Sequence, residues 1–168
     1  MDIKVKNILI TGGAGFMGRW TAKNLLNKGH KIWILDNLSN GSEKNIEEFR
    51  DKLEDFIIGD IKDKELVSEL FKNNFDICIH FAAAIDVQES IDNPEKSFND
   101  NCLGTFNILE QCRKHNVKMV FASSALVYKT AEPGRKITEE HALYASCPYT
   151  ASKINGENLV MSYSKTYK

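Results

Sequence analysis

Two clusters in this chain have residue types and spacings suited to chemistry. The first is Thr11-Gly12-Gly13-Ala14-Gly15-Phe16-Met17-Gly18, which follows the apolar triplet Ile8-Leu9-Ile10. Three glycines at this spacing are a weak signal by themselves, because ordinary turns also collect glycine. A strand before them, a helix after them and an acid about 20 residues further on turn the pattern into a phosphate cradle. Gly12 permits a tight turn, Gly15 lets the backbone approach a pyrophosphate, and Gly18 lets the helix sit close to the strand. The helix N-terminus presents free N–H groups and the positive end of its dipole to the phosphates. The acid is Asp36, which can accept hydrogen bonds from adenosine ribose hydroxyls and would repel a 2′-phosphate. No arginine stands beside it, so the cluster points to NAD rather than NADP.

The second cluster is Tyr149-Thr150-Ala151-Ser152-Lys153. An i, i+4 spacing on a helix brings the phenol and the ammonium onto one face. A free phenol loses its proton near pH ~10, and lowering that to about 7 needs roughly 4 kcal/mol of phenolate stabilisation. The Lys153 ammonium together with a bound nicotinium charge can supply it. Any exposed helix with one snorkelling lysine shows the same spacing. Its placement after the fifth strand of a dinucleotide-binding pattern favours catalysis. Ser123-Ser124 follows that strand, and Ser124 is placed to hydrogen-bond a substrate oxygen while Tyr149 takes its proton.

The elements that must position these clusters are legible as short apolar runs alternating with helical patterns. Strands are expected at Ile8–Ile10, Lys31–Asp36, Phe56–Ile58, Ile77–Phe81 and Lys118–Phe121. Helices are expected at about 16–28, 43–50, 64–71, 94–115 and from Tyr149 onward. Apolar strands alternating with helices imply an α/β fold, a Rossmann-like doubly wound parallel sheet with helices on both faces. On the 94–115 helix, Phe98, Cys102, Leu103, Phe106, Ile108, Leu109 and Cys112 occupy a wider arc than packing on one side requires. One side is expected to face the sheet and the other a second subunit, with Ile154, Leu159, Val160 and Tyr163 joining that surface.

The 168 residues are 42% hydrophobic and 27% charged with a formal net charge of -1. That suits one domain and lacks the basic excess of a nucleic-acid or membrane-surface binder. No apolar run approaches the roughly 18 residues that span a bilayer, and Met1-Asp2-Ile3-Lys4 begins no signal peptide, so a cytoplasmic location is expected. Four cysteines without a CxxC pair and four histidines without ligand spacing give no reason to expect disulfides or a metal. Cys147 carries no local mark of activation.

Taken jointly, TGGAGFMG (11–18), LDNLSNG (35–41), GDI (59–61), HFAAA (80–84), NCLGT (101–105), SSALVY (123–128) and PYTASK (148–153) resemble the extended short-chain dehydrogenases/reductases. Within them they are similar to the NAD-dependent sugar-nucleotide epimerase/dehydratase group. The resemblance runs through nearly the whole chain in order. It implies that Phe16 and Met17 lie over the pyrophosphate and that Asp36, Asn37, Leu38, Ser39, Asn40 and Gly41 wrap the adenosine. Asp60 and Ile61 would flank the adenine, while Phe81, Ala82, Ala83, Ala84 and Asn101 would line the cofactor. Ser124, Tyr149 and Lys153 match the family's catalytic trio. Family 4,6-dehydratases carry an acid where this chain has Leu126, and often another at Ala125, so SSALVY is closer to the UDP-glucose 4-epimerases. Lys129 stands where the family usually has glycine, in the 129–146 loop that would border the substrate.

The resemblance implies a nucleotide-sugar substrate, a homodimer through the 94–115 and 149–168 helices, and a chain (1–168) that is the NAD(P)-binding Rossmann part, with a C-terminal substrate domain absent. The alternatives are a non-catalytic or truncated NAD-binding module, and a dehydratase or reductase of the same family.

Overall fold

Runs of β-branched and aromatic residues between polar turns form five strands in the computed structural model, which describes residues 4–167. They are β1 (Asn7–Thr11), β2 (Lys31–Asp36), β3 (Asp55–Ile58), β4 (Ile77–His80) and β5 (Lys118–Phe121). All neighbours are parallel, in the order β3-β2-β1-β4-β5. The sheet therefore grows one way from β1 to β2 and the other way from β1 to β4. In such sheets the ligand crevice opens outside the carboxyl ends of the strands at that reversal.

Strand alternation builds a core on each face. Ile8, Ile10, Ile32 and Ile34 point to one side, where Ala22, Ile46 and Phe49 cover them. Leu9, Leu35 and Cys78 point to the other, under Val67, Phe71, Ile108 and Cys112. The doubly wound expectation holds, except that the outer strands β3 and β5 leave Ile58 and Val120 exposed.

The helices show where local rules decide. Helix α1 (Phe16–Asn27) starts at Gly15 with no side-chain cap. Helix α2 (Lys64–Leu70) is capped by Asp63, whose Oδ1 accepts from the Glu65 and Leu66 amides at 3.0 Å each. A helix not anticipated from sequence, α3 (Val87–Asp92), is started by Asp86, which accepts from the Glu89 amide at 2.8 Å. The expected 94–115 helix is present but not uniform. Regular helix α4 (Pro94–Phe98) passes through a π-helical turn, Asn99–Leu103, into α5 (Gly104–Lys114). The last helix is α6 (Pro148–Thr166). The expected 43–50 helix is instead two 3₁₀ segments, Glu43–Asn45 and Glu47–Lys52. The wide apolar arc divides as expected in part. Cys102, Ile108, Leu109 and Cys112 are buried, whereas Phe98, Leu103 and Phe106 are exposed.

Candidate active site

The site begins where β1 runs into the glycine turn. Gly12 has φ +69°, and a Cβ there would lie 2.6 Å from the Ala82 nitrogen and 2.8 Å from the Phe81 carbonyl carbon. Glycine is therefore required both for the turn and for the close passage of the loop after β4. A Cβ on Gly15 would meet the Gly12 carbonyl oxygen at 3.2 Å and nothing else within 4 Å, so this stretch of backbone is bare toward the crevice. Gly18 packs on Gly12 and Gly13, so the helix rests on the turn itself rather than on the strand. Gly13, to which sequence reasoning gives no role, sits against Ile34, where a Cβ would come within 2.5 Å of its Cγ2.

Asp36 ends β2 almost fully buried. Its Oδ2 accepts from the Ala14 amide at 2.9 Å and its Oδ1 from the Leu38 amide at 2.8 Å. The carboxylate thus ties the glycine turn to the loop after β2, with one lone pair left on each oxygen.

A cavity of about 350 Å³ opens at the carboxyl ends of the strands. Gly12, Gly15, Phe16, Met17 and Gly18 line it on one side. Asp36, Asn37, Ser39, Asn40 and Gly41 follow, then Asp60 and Ile61, and then Phe81, Ala82, Ala83 and Ala84. Tyr149 and Lys153 border the same space. Three expected residues do not line it. Leu38 turns its side chain into the core beneath α1. Asn101 is buried, and its amide is committed to Ala84 N and O at 2.7 and 2.9 Å and to Ser152 Oγ at 2.9 Å. Ser124 caps the 3₁₀ turn Ala125–Val127, accepting from the Leu126 amide at 3.2 Å, while its neighbour Ser123 lines the cavity. Asp100, which nothing in the sequence singles out, also lines the cavity because the π-helical turn brings it there.

Buried hydroxyls hold Tyr149. Its amide donates to Ser90 Oγ at 3.1 Å, and its carbonyl accepts from Ser152 Oγ at 2.7 Å. Ser152 in turn accepts from Asn101, which grips Ala84. Helix α6 is thereby pinned to the loop after β4. Ser152 lies inside the Tyr149–Lys153 turn and is findable from sequence; Ser90 belongs to the unanticipated α3 and has no local signal.

Lys153 is 6% exposed, and burial pushes its ammonium down to about 8 against the pull of Glu157. Its Nζ lies 4.8 Å from the centre of the Phe121 ring and makes no hydrogen bond or ion pair with a described residue, so its donors remain for a ligand. Beneath it, His80 sits between Thr11 Oγ1 (2.6 Å from Nδ1) and Thr105 Oγ1 (3.0 Å from Nε2). Burial, helped by the Lys153 charge, pushes the imidazole down to about 3. Cys147 differs from the sequence expectation: it caps α6, and although burial opposes it, the Thr150 and Tyr149 amides and the Thr150 hydroxyl draw its thiol below the ordinary value.

A family model described as GDP-mannose 4,6 dehydratase matches residues 9–168. An Arabidopsis thaliana protein named bifunctional UDP-glucose 4-epimerase and UDP-xylose 4-epimerase 3 is 42% identical over 159 residues, covering 89% of this chain and 45% of its own length. The X-ray structure of Pal from Bacillus thuringiensis superposes with a TM-score of 0.93 at 50% identity, covering 96% of this chain and 52% of that one. A UDP-glucose 4-epimerase from Thermus thermophilus, solved in complex with NAD, superposes with a TM-score of 0.90 at 34% identity, covering 96% of this chain and 51% of that one. The chain spans about half the length of the curated relatives it matches. With a dinucleotide-type glycine turn, a 3-2-1-4-5 parallel sheet and a family match from residue 9 to 168, the chain belongs to the extended short-chain dehydrogenase/reductase family of nucleotide-sugar epimerases and dehydratases.

Proposed function

We propose that the chain carries the cofactor-binding and proton-transferring part of an NAD-dependent nucleotide-sugar 4-epimerase. Its substrate is a nucleoside-diphosphate sugar of the UDP-glucose/UDP-galactose type, and the reaction is transient oxidation at C4. One observation carries this reading: the glycine turn, Asp36, Tyr149 and Lys153 border a single cavity.

The residues fit NAD. Gly15 lines the cavity with no side chain in the way, and the uncapped start of α1 leaves amides to bind a pyrophosphate. The free lone pairs of Asp36 suit ribose hydroxyls, and its charge disfavours a 2′-phosphate. Gly12, Gly15, Phe16, Met17 and Gly18 would hold the pyrophosphate, Asp36 to Gly41 the adenosine side, Asp60 and Ile61 the adenine, and Phe81 to Ala84 the remainder, with Asn101 holding that last stretch from behind. Bound there, NAD supplies reversible acceptance of a hydride from C4 of the sugar.

The proton is handled by the chain's own side chains. Tyr149 takes the proton of the 4-hydroxyl as general base, with the Lys153 ammonium one turn along the same helix. Ser124 lies next to cavity-lining Ser123 rather than in the cavity wall itself. It only accepts from Leu126, so its own O–H is uncommitted, and we assign it to donate to the 4-oxygen of a sugar that reaches it. After the 4-keto sugar has turned over, Tyr149 returns the proton to the oxygen on the opposite face. Loss of the 6-hydroxyl as water needs an acid over that carbon. Leu126 and Ala125 provide none, which favours epimerisation over dehydration.

We place the protein in the cytoplasm as a homodimer through the 94–115 and 149–168 helices. Support comes from exposed Phe98, Leu103 and Phe106 on the first and exposed Met161 on the second. The test is calorimetric titration with NAD, followed by chromatography of UDP-galactose incubated with the loaded protein. Tyr149→Phe should bind NAD like the natural chain and lose at least about a hundredfold in interconversion. Full interconversion by that variant would sink the assignment.

A further inference from the structure

A chain of alternating charges crosses the rim of the cavity. Asp60 and Asp100 both line the space, yet they belong to different elements, the segment after β3 and the π-helical turn. Lys62 stands between them: its Nζ pairs with Asp60 Oδ2 at 3.2 Å and with Asp100 Oδ1. Lys96 holds the other Asp100 oxygen at 3.2 Å and continues to Glu89 at 3.2 Å. On the far side, the Asn37 amide donates to Asp60 Oδ2 at 3.1 Å, and the Lys62 backbone amide donates to its Oδ1 at 2.8 Å. The row thus joins the segments following β2, β3 and β4 across one end of the cavity.

The backbone beneath this row is already fixed. Asn107 Nδ2 donates to the carbonyls of Ile61 at 3.1 Å and Lys62 at 3.3 Å. Ile61 packs against Gly104, where a Cβ would lie 2.5 Å from its Cδ1. Opening this end therefore needs only the Lys62 side chain to leave Asp100, with no movement of an element. Asp100 is largely covered, whereas Lys62 is half-exposed, which makes Lys62 the moving partner.

Resting on the NAD reading above, we infer that Lys62 is a retention residue of the dinucleotide site: it latches Asp60 to Asp100 across the rim, and this latch must part for the dinucleotide to leave. A bare charge effect predicts something different. If only the field mattered, Lys62→Met would weaken binding of the anionic dinucleotide and Asp100→Asn, which removes a negative charge, would tighten it. The latch makes both substitutions act in the same direction.

The experiment loads the full chain with NADH and follows loss of its bound fluorescence by stopped flow after excess ADP-ribose is added. Lys62→Met and Asp100→Asn should each release NADH about twofold to fivefold faster, the range expected for partly exposed ion pairs. The double variant should be no faster than the faster single one, because the two residues act through one contact. Added salt should accelerate release from the natural chain toward the variants' rate and leave the variants little changed. Slower release from Asp100→Asn, or natural rates in both variants, overturns the latch while NADH binding itself upholds the site. A natural chain that takes up no NADH overturns both.

Discussion

Lys153 offers the sharpest quantitative test, because the fold holds it at a disadvantage. In water its ammonium would titrate near 10.5, and burial brings that down to about 8. That difference corresponds to roughly 3 kcal/mol of destabilisation of the charged form, carried in full below pH ~8. Replacement by methionine keeps part of the apolar stem and removes the ammonium that lies over the Phe121 ring. Lys153→Met should therefore stabilise the ligand-free chain by up to about 3 kcal/mol at pH 7, or roughly 6–12 °C in Tm for a chain of this size. The sign with pH follows from the depressed value. Between about 8 and 10.5 the folded chain gives up the proton while the unfolded chain keeps it, so the natural protein gains stability as pH rises. The advantage of the variant should shrink across that window and vanish above it. Urea unfolding of both proteins from pH 7 to 11 measures this directly. A variant equal to or less stable than the natural chain at pH 7, or a difference that does not change with pH, refutes the reasoning. The same substitution should abolish turnover, as expected where a site is strained for function.

Other outcomes follow from the same geometry. Gly12→Ala should cost more than about 2 kcal/mol in urea unfolding, since it adds left-handed strain and a backbone overlap, whereas Gly29→Ala, also at positive φ but in open space, should cost only about 1 kcal/mol. His80 should stay neutral in the folded chain far below its ordinary 6.5, so folding stability should fall by about 2 kcal/mol between pH 6.5 and 5 as the unfolded chain takes up the proton. Imidazole NMR shifts followed over that range check it, and an ordinary His80 titration near pH 6.5 would contradict it. Asp36→Asn should weaken NAD about tenfold and narrow its preference over NADP, because the charge that repels a 2′-phosphate is gone; calorimetry with both dinucleotides decides.

What the sequence makes legible are features set by local rules. Glycine spacing after Ile8–Ile10, the acid closing β2 and the Tyr149–Lys153 turn each carry their own signature, and β2 and β5 begin and end where their apolar runs do. What stays hidden depends on partners distant in the chain. Helix α3 is held by the Asp86 cap and by packing on α4 and α6 rather than by an apolar stripe of its own. The π-helical turn inserts no telltale residue, so one long helix is the natural expectation, yet that turn delivers Asp100 to the cavity and Asn101 to Ala84 and Ser152. Leu38 reads as a cofactor contact from its place in LDNLSNG, but its apolar side chain packs against the core cluster of Ile34 and Ile46. The sequence points to Ser124, whereas the 3₁₀ turn has Ser124 accept from the Leu126 amide and leaves Ser123 lining the cavity.

The most direct test of the central claim follows a label at C4. UDP-galactose deuterated at that carbon is incubated with the NAD-loaded chain in ordinary water, and the product is examined by mass spectrometry. Transient oxidation with Tyr149 as proton carrier predicts UDP-glucose that keeps its deuterium, and none formed by Tyr149→Phe. UDP-glucose that has lost the deuterium, a 6-deoxy-4-keto product, or undiminished conversion by the variant would contradict it.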